Sequence, residues 1–189
     1  MSLLTWVLAA SALLAPGRSH ERLGTAIAIR AEAEPPLFKG DDDRRKTAAF
    51  LIAIAFRESS LKADATGDKR NGKPTSFCAF QINLWDRKTK EGWSGADLIE
   101  DPDKCVTVAM RMLRESAKAC PAHPLAFYAE GPAGCTSERA QRISLDRMAI
   151  AERLRRDVPW PAKDEKDEKG AASDAEPARV LPPRRFCAR

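Results

Sequence analysis

The sequence has few of the residues that bind metals and no apolar run long enough to cross a membrane. It contains two histidines, His20 and His123, and none of its five cysteines forms a Cys-x-x-Cys pair; zinc sites are usually built from these residues at such spacings. Basic residues do not form a stripe that alternates with aromatic residues, as nucleic-acid-binding surfaces often do. We therefore expect no metal, no cofactor and no nucleic-acid partner.

Length and composition indicate one domain followed by a tail. The chain has 189 residues, 43% of them apolar, and its net charge of +5 comes from both signs spread along the sequence. This length suits a single domain with additional segments. From residue 161 onward large apolar residues become rare, and mixed charges and prolines predominate, which is typical of disorder. We predict a monomeric domain over residues 20–158 and a disordered tail over residues 159–189.

The N-terminus begins with a short apolar segment. Residues 3–15 (LLTWVLAASALLA) are too few to span a bilayer comfortably, and they resemble the apolar core of a secretory signal peptide. We therefore predict a signal peptide over residues 1–19, export to the periplasm or the medium, and no membrane span in the mature protein. No Lys or Arg precedes the run and no Ala-x-Ala site closes it, so the alternative is an amphipathic or buried N-terminal helix.

In an exported protein the cysteines are expected to form disulfides. Cys120 and Cys135 bracket a short turn-rich segment, and we predict that they pair. Cys105 cannot pair with Cys120 on one straight helix, because 15 residues of helix span about 22 Å. Cys78 then remains for Cys105, and Cys187 in the tail is left over. The alternative is that Cys78 and Cys105 are small buried thiols.

The periodicity of the apolar residues predicts a mainly α fold, of the α+β kind, with one small β-hairpin. Residues 48–56 (AAFLIAIAF) are apolar on every side, which indicates a core helix. Further helices are predicted over residues 20–34, from Asp101-Pro102 to Pro121, and over residues 137–156. Residues 61–75 are rich in Gly, Asp, Lys and Asn, and residues 77–84 suit a short strand or an extended turn. We place the hairpin near residues 65–83.

A glutamate stands at the end of the core helix, within Arg57-Glu58-Ser59-Ser60. A carboxyl group at the end of a hydrophobic helix is partly desolvated, and desolvation raises the pKa of a carboxyl group. A carboxyl that keeps its proton near neutrality can donate it to a glycosidic oxygen. The alternative is a solvated helix-end residue paired with Arg57 or Lys62.

Two further segments follow this glutamate in a suggestive order. A Gly-Asp-Lys-Arg-Asn-Gly loop at residues 67–72 leads to Phe80-Gln81-Ile82, and residues 126–131 read Ala-Phe-Tyr-Ala-Glu-Gly. Over about residues 45–155 this order resembles goose-type lysozymes and the related soluble lytic transglycosylases. In that family a Glu-Ser pair ends a helix, a Gly-Leu-Met-Gln-like turn follows a loop, and an Ala-Tyr-Asn-Ala-Gly segment comes later. The resemblance implies a lysozyme-like helical domain with the hairpin beside a catalytic cleft.

The resemblance also implies roles for individual residues. Glu58 matches the catalytic glutamate, and Tyr128, the only tyrosine of the chain, matches the residue that hydrogen-bonds to that glutamate and orients it. Gln81 matches the glutamine that lines the sugar cleft, and Ser59 the serine beside the acid. Asp68 resembles the second carboxylate of the goose-type enzymes.

Three departures from the family pattern affect the cleft. Asn83, a candidate substrate-binding residue, stands where goose-type enzymes have another aspartate. Cys78-Ala79-Phe80 replaces Gly-Leu-Met before the glutamine, and Ala129-Glu130 replaces Asn-Ala after the tyrosine. These changes bear on the substrate preference more than on the fold.

The resemblance implies cleavage of the β-1,4 bond between N-acetylmuramic acid and N-acetylglucosamine in peptidoglycan. A hydrolase needs a second carboxylate to activate water, for which Asp68 is the candidate. A lytic transglycosylase needs only one glutamate, because the 6-hydroxyl of the sugar attacks and the deprotonated glutamate serves as base. We favour transglycosylation. The alternatives are a hydrolytic lysozyme and a non-catalytic module that binds peptidoglycan.

Overall fold

A computed structural model describes residues 1–40, 42–84 and 88–160 of the chain. The predicted tail, apart from its first two residues, and Cys187 lie outside these residues. In chain order the described helices and strands are α1 (Leu3–Leu14), α2 (Glu21–Ala33), α3 (Asp43–Ser59), β1 (Thr66–Arg70), β2 (Lys73–Phe77), β3 (Ile82–Asn83), α4 (Gly95–Glu100), α5 (Pro102–Ala119), α6 (Ala126–Glu130) and α7 (Glu138–Asp157). A short 3₁₀ helix, Gly131–Thr136, joins α6 to α7.

The described chain is mainly helical, with one small antiparallel sheet, and this coarse fold class is confirmed. The strand order is β1-β2-β3. β1 and β2 form the hairpin, in which Gly67 lies opposite Ser76, and on the other side of β2 Ser76 lies opposite Asn83. The sheet thus falls within the segment predicted for the hairpin, and the register places one residue from each strand side by side.

The core is built around α3. The nine residues 47–55 are all buried, because the apolar run covers the whole circumference of the helix. α3 packs against α7, α1 and α2. It ends where Ser60 and Leu61 adopt left-handed backbone conformations, and their amides return to the carbonyls of Phe56 and Ala55. The helix therefore continues through Ser59, and Glu58 lies in its last turn.

The N-terminal apolar segment forms part of the same core. Trp6, Val7 and Ala10 of α1 are fully buried. The indole Nε1 of Trp6 donates a hydrogen bond to the carbonyl of Val158, 3.2 Å away, so both ends of the described domain meet here. This arrangement matches the buried-helix alternative for residues 3–14, and cleavage of residues 1–19 stays a prediction. Among the described residues no helix combines the length and apolarity needed to cross a membrane.

Candidate active site

The last turn of α3 brings Glu58 against α7. Its Oε1 accepts a hydrogen bond from Nη2 of Arg147 at 3.0 Å, and the two side chains are 27% and 14% exposed. The neighbouring Arg57 binds Asp146 with two hydrogen bonds, from Nε at 2.8 Å and from Nη2 at 2.5 Å. Two adjacent residues of α3 thus meet two adjacent residues of α7, and each acid faces a base. The pairing of Glu58 with Arg57 or Lys62, considered for a solvated helix end, is not the one found.

Arg147 was not among the residues predicted for the site, although its position on α7 carries a signal. The buried positions of α7 are Ala140, Ser144, Ile150, Ala151 and Leu154. Arg147 lies three or four residues from the nearest of them and so falls on the same face of the helix. An arginine in a core-facing row requires a partner for its charge, because unpaired buried charges are costly. The face predicted from the sequence included Ile143 and Met148, which are only partly buried.

Tyr128 connects α6 to the turn that follows the hairpin. Its hydroxyl donates a hydrogen bond to the carbonyl of Phe80 at 2.5 Å, and its backbone N–H donates to Oγ of the buried Ser116 at 2.9 Å. Burial raises the pKa of the Tyr128 hydroxyl, and the negative charge of Glu58 raises it further, against the opposing charge of Arg147. Tyr128 is therefore a neutral donor within electrostatic reach of Glu58.

The partner of the Tyr128 hydroxyl differs from the one that the resemblance implies. Across the described ranges no hydrogen bond joins Tyr128 to Glu58, whose hydrogen-bond partner is Arg147. Tyr128 orients the backbone beside Gln81 instead. Arg147 of α7 is therefore the residue that contacts the candidate acid, and Tyr128 is related to Glu58 through charge alone.

The turn at residues 78–81 places Gln81 over β1. Cys78 and Gln81 both have positive φ angles, 60° and 49°, so the backbone bends sharply at each of them. The side-chain amide and the backbone amide of Gln81 both donate to the carbonyl of Cys78, at 3.1 Å each. The side chain covers Gly67 so closely that a Cβ there would overlap Oε1 of Gln81. The glycine before Asp68 is thereby explained by the position of Gln81.

A buried hydroxyl connects the other two candidate residues of the sheet. Asp68 Oδ2 accepts a hydrogen bond from Oγ of Ser76 at 2.6 Å, and Nδ2 of Asn83 donates to the same Oγ at 3.4 Å. Ser76 is fully buried, and its role had no signal in the sequence because it arises from the register of three strands. The Oδ1 atom of Asn83 is buried and finds no hydrogen-bond partner within the described chain.

Ser59 is engaged in closing the helix. Its hydroxyl donates to the carbonyl of Ala55 at 2.9 Å and accepts from the backbone N–H of Lys62 at 3.1 Å. Both bonds satisfy backbone groups at the end of α3, as polar side chains at helix ends commonly do. The contribution of Ser59 in this structure is therefore to the local geometry beside Glu58.

Two cysteine pairs lie at disulfide distance around the site. Cys78 pairs with Cys105 and Cys120 with Cys135, with Cα–Cα distances of 6.3 and 5.3 Å. Both pairings are those expected from the sequence. The first attaches the turn at residues 78–81 to the first helical turns of α5, and the second closes the segment that carries Tyr128.

An open cavity of about 490 Å³ lies beside Tyr128 and Asn83. A second cavity, of about 250 Å³, shares Asn83, Met112 and Glu115 with the first. Together they form a groove along the third strand and α5. The hydrogen bond from Lys90 lowers the pKa of Glu115, so this wall of the groove carries an anion near neutrality. In the described part of the chain, no three His, Cys, Asp or Glu side chains are grouped so as to hold a metal ion.

Comparison with known proteins gives no relative: the chain matches no protein-family model, no curated protein and no solved structure. A function must therefore be inferred from the residues of the site and their geometry.

Proposed function

We propose that the protein cleaves peptidoglycan strands at the β-1,4 bond between N-acetylmuramic acid and N-acetylglucosamine, by lytic transglycosylation with Glu58 as the catalytic acid. The observation that carries this proposal is the position of Tyr128. Its hydroxyl bonds to the carbonyl of Phe80, next to Gln81, and its pKa responds to the charge of Glu58. Two of the three segments on which the resemblance depends are thus joined directly, beside an open groove lined by Tyr128, and the charge of Glu58 acts on this tyrosine.

The groove supplies the second argument for a polymeric sugar substrate. It runs past Tyr128 and Asn83, and the buried Oδ1 of Asn83 lacks a hydrogen-bond partner within the described chain. Sugar hydroxyls and acetamido groups are donors that suit such acceptors. Asn83, which lines the groove, is therefore proposed to bind the glycan, and Gln81 is proposed to do so because of its match to the family glutamine.

The proposed reaction uses one glutamate twice. Glu58 donates its proton to the bridging oxygen, the bond from that oxygen to C1 of the muramic ring breaks, and positive charge develops at C1. The 6-hydroxyl of the same ring then attacks C1 and returns a proton to the Glu58 carboxylate. The products are a 1,6-anhydromuramic end and a free 4-hydroxyl, and the glutamate is regenerated without consuming water.

Two observations support the alternative functions, hydrolysis and binding without cleavage. Asp68 is oriented by the buried Ser76 hydroxyl, which favours hydrolysis if its carboxylate activates water. The Glu58 carboxylate is already bound by Arg147, 3.0 Å away, as expected of a module that binds glycan without cleaving it.

Digestion of purified sacculi separates these functions. The soluble products are analysed by mass spectrometry. Anhydro ends are expected from the transglycosylase, whereas reducing ends would mean a lysozyme, and co-sedimentation without soluble products would mean a binding module. Sacculi that neither bind nor release products would contradict all three functions.

We also propose that the protein is exported as a monomer and meets peptidoglycan outside the cytoplasm. The support is the pair of disulfide-distance cysteine pairs, since disulfides persist mainly in oxidising compartments. Mass spectrometry of the protein from cell fractions would identify its location and its N-terminus, and recovery only from the cytoplasm with free thiols would contradict export.

A further inference from the structure

The guanidinium of Arg147 is anchored so that it points at Glu58. Nη2 binds Glu58 Oε1 at 3.0 Å, while Nη1 lies 3.4 Å from Asp146 Oδ2 and 3.5 Å from the carbonyl of Ile143 on its own helix. The side chain is only 14% exposed. One end of the planar group is thus fixed to α7, and the other end is directed at the candidate acid.

The neighbouring charges leave Arg147 as the cation that acts on Glu58. The charge of Asp146 is already matched by Arg57, which binds both of its oxygens. Tyr128 of α6 lies within the influence of the Glu58 charge, and burial raises the pKa of its hydroxyl, so it stays neutral. Ahead of α2, the guanidinium of Arg18 is bound to the carbonyl of Ser60, 3.2 Å away.

We propose that Arg147 is a positioning residue of the peptidoglycan reaction, holding the Glu58 carboxyl in place and stabilising the anion that forms when its proton is transferred. This inference rests on the proposed function of Glu58. A cation beside a carboxyl favours the ionised form. It therefore eases departure of the proton and supports the base needed in the second half of transglycosylation.

The first test compares the pH dependence of cleavage in the wild type, Arg147→Met and Arg147→Lys. The alkaline limb of kcat/KM reports loss of the proton from the essential acid. In Arg147→Met we expect this limb to move to higher pH, because the cation bound to Glu58 is removed. The rate at the optimum should fall roughly tenfold, the loss expected for a hydrogen bond to a charged group. Arg147→Lys keeps the positive charge and should return the limb close to its original position.

Arg57→Met is the matched control. It removes an ion pair between the same two helices, one residue away, but not the cation that binds Glu58. Its alkaline limb should stay in place even if stability falls. An equal movement of the limb in Arg57→Met and Arg147→Met would show that the effect is structural, and an unmoved limb in an active Arg147→Met enzyme would also overturn the proposal.

A second readout does not depend on cleavage. The side-chain carboxyl carbon of Glu58 is followed by ¹³C NMR during pH titration, and its signal is assigned from its loss in Glu58→Gln. We expect the midpoint to move upward in Arg147→Met and to stay in Arg57→Met. If the wild type does not cleave sacculi, the proposed function fails while this titration still tests the contact. If Arg147→Met does not fold, Arg147→Gln, which keeps a donor without the charge, takes its place, and an unchanged midpoint in it would overturn the proposal.

Discussion

The two walls of the candidate site are stabilised by different means. The helix wall, formed by the last turn of α3 and the facing turn of α7, is joined by the pairs Glu58–Arg147 and Arg57–Asp146. The sheet wall, formed by the three strands and the turn at residues 78–81, depends on a cysteine pair, two positive-φ residues and a buried serine hydroxyl. Charge acts across the first wall, whereas backbone and covalent constraints shape the second.

This difference predicts a division of effects. Glu58 and Arg147 are the residues proposed to act in proton transfer, so substitutions at these two positions of the helix wall should change the rate and its pH dependence. The backbone turn and the disulfide of the sheet wall do not titrate near neutrality, so substitutions there should change stability and substrate binding. A substitution whose effect belongs to the other wall would argue against the division.

The largest effect is expected from removing the covalent constraint of the sheet wall. Replacing Cys78 and Cys105 together by serine should lower the free energy of unfolding by roughly 3.5 kcal/mol, because the unfolded chain gains entropy when two residues 27 positions apart are no longer linked. Denaturant unfolding of the oxidised proteins measures this loss. The matched control is the double serine variant at Cys120 and Cys135, whose separation of 15 predicts roughly 3 kcal/mol. A loss below about 1 kcal/mol at Cys78 and Cys105 would mean that hydrogen bonds and packing alone fix the sheet wall.

The next effect concerns the acid on the helix wall. Glu58→Gln keeps the shape of the side chain but removes the transferable proton, and we expect cleavage to slow by at least about 10²-fold. Release of soluble muropeptides measures the rate. Glu138→Gln, at the exposed start of α7, is the control and should cleave normally. Near-normal cleavage by Glu58→Gln would show that another residue supplies the proton.

The sequence predicts the helices of the helix wall but not the contacts between them. The apolar run of α3 identifies a core helix because no polar residue interrupts it. The partner of Glu58 could not be read in the same way, because Arg147 is 89 positions away and depends on how α7 is rotated against α3. α7 contains six arginines, and the rotation of this helix determines which of them faces Glu58.

The contacts within the sheet wall could not be predicted from the sequence either. Its location follows from the turn residues, but its internal contacts depend on strand register, as the meeting of Asp68, Ser76 and Asn83 illustrates. The short helix α4 was not predicted either. Ser94 accepts from the backbone of Asp97 and Asp97 from that of Ser94, a capping box that the spacing of Ser and Asp could have indicated.

A smaller effect is expected at Tyr128 of α6, which contacts the sheet wall. Tyr128→Phe removes the hydrogen bond to the Phe80 carbonyl, and the net value of such a bond is about 0.5–1.5 kcal/mol. We therefore expect a rate loss of roughly two- to tenfold, measured on the same sacculi. Ser116→Ala removes the hydrogen bond to the backbone amide of Tyr128 but keeps the Tyr128 hydroxyl. This variant should mainly lower stability. A loss in Tyr128→Phe as large as in Glu58→Gln would give Tyr128 a direct part in proton transfer and end the division of roles.

The smallest effect tests whether the sheet wall acts through the position of Gln81. In Gly67→Ala the new Cβ would overlap Oε1 of Gln81, the movable end of a side chain, so Gln81 should swing away while the strand stays intact. We expect KM for soluble glycan fragments to rise roughly two- to fivefold, the cost of weakening about one neutral hydrogen bond, with kcat little changed. Gly72→Ala is the opposite control, because its Cβ would meet nothing within 4 Å whereas its φ of +74° disfavours alanine. That variant should lose stability and keep KM. If Gly67→Ala left KM unchanged while a crystal structure showed Gln81 displaced, Gln81 would have no part in binding the glycan.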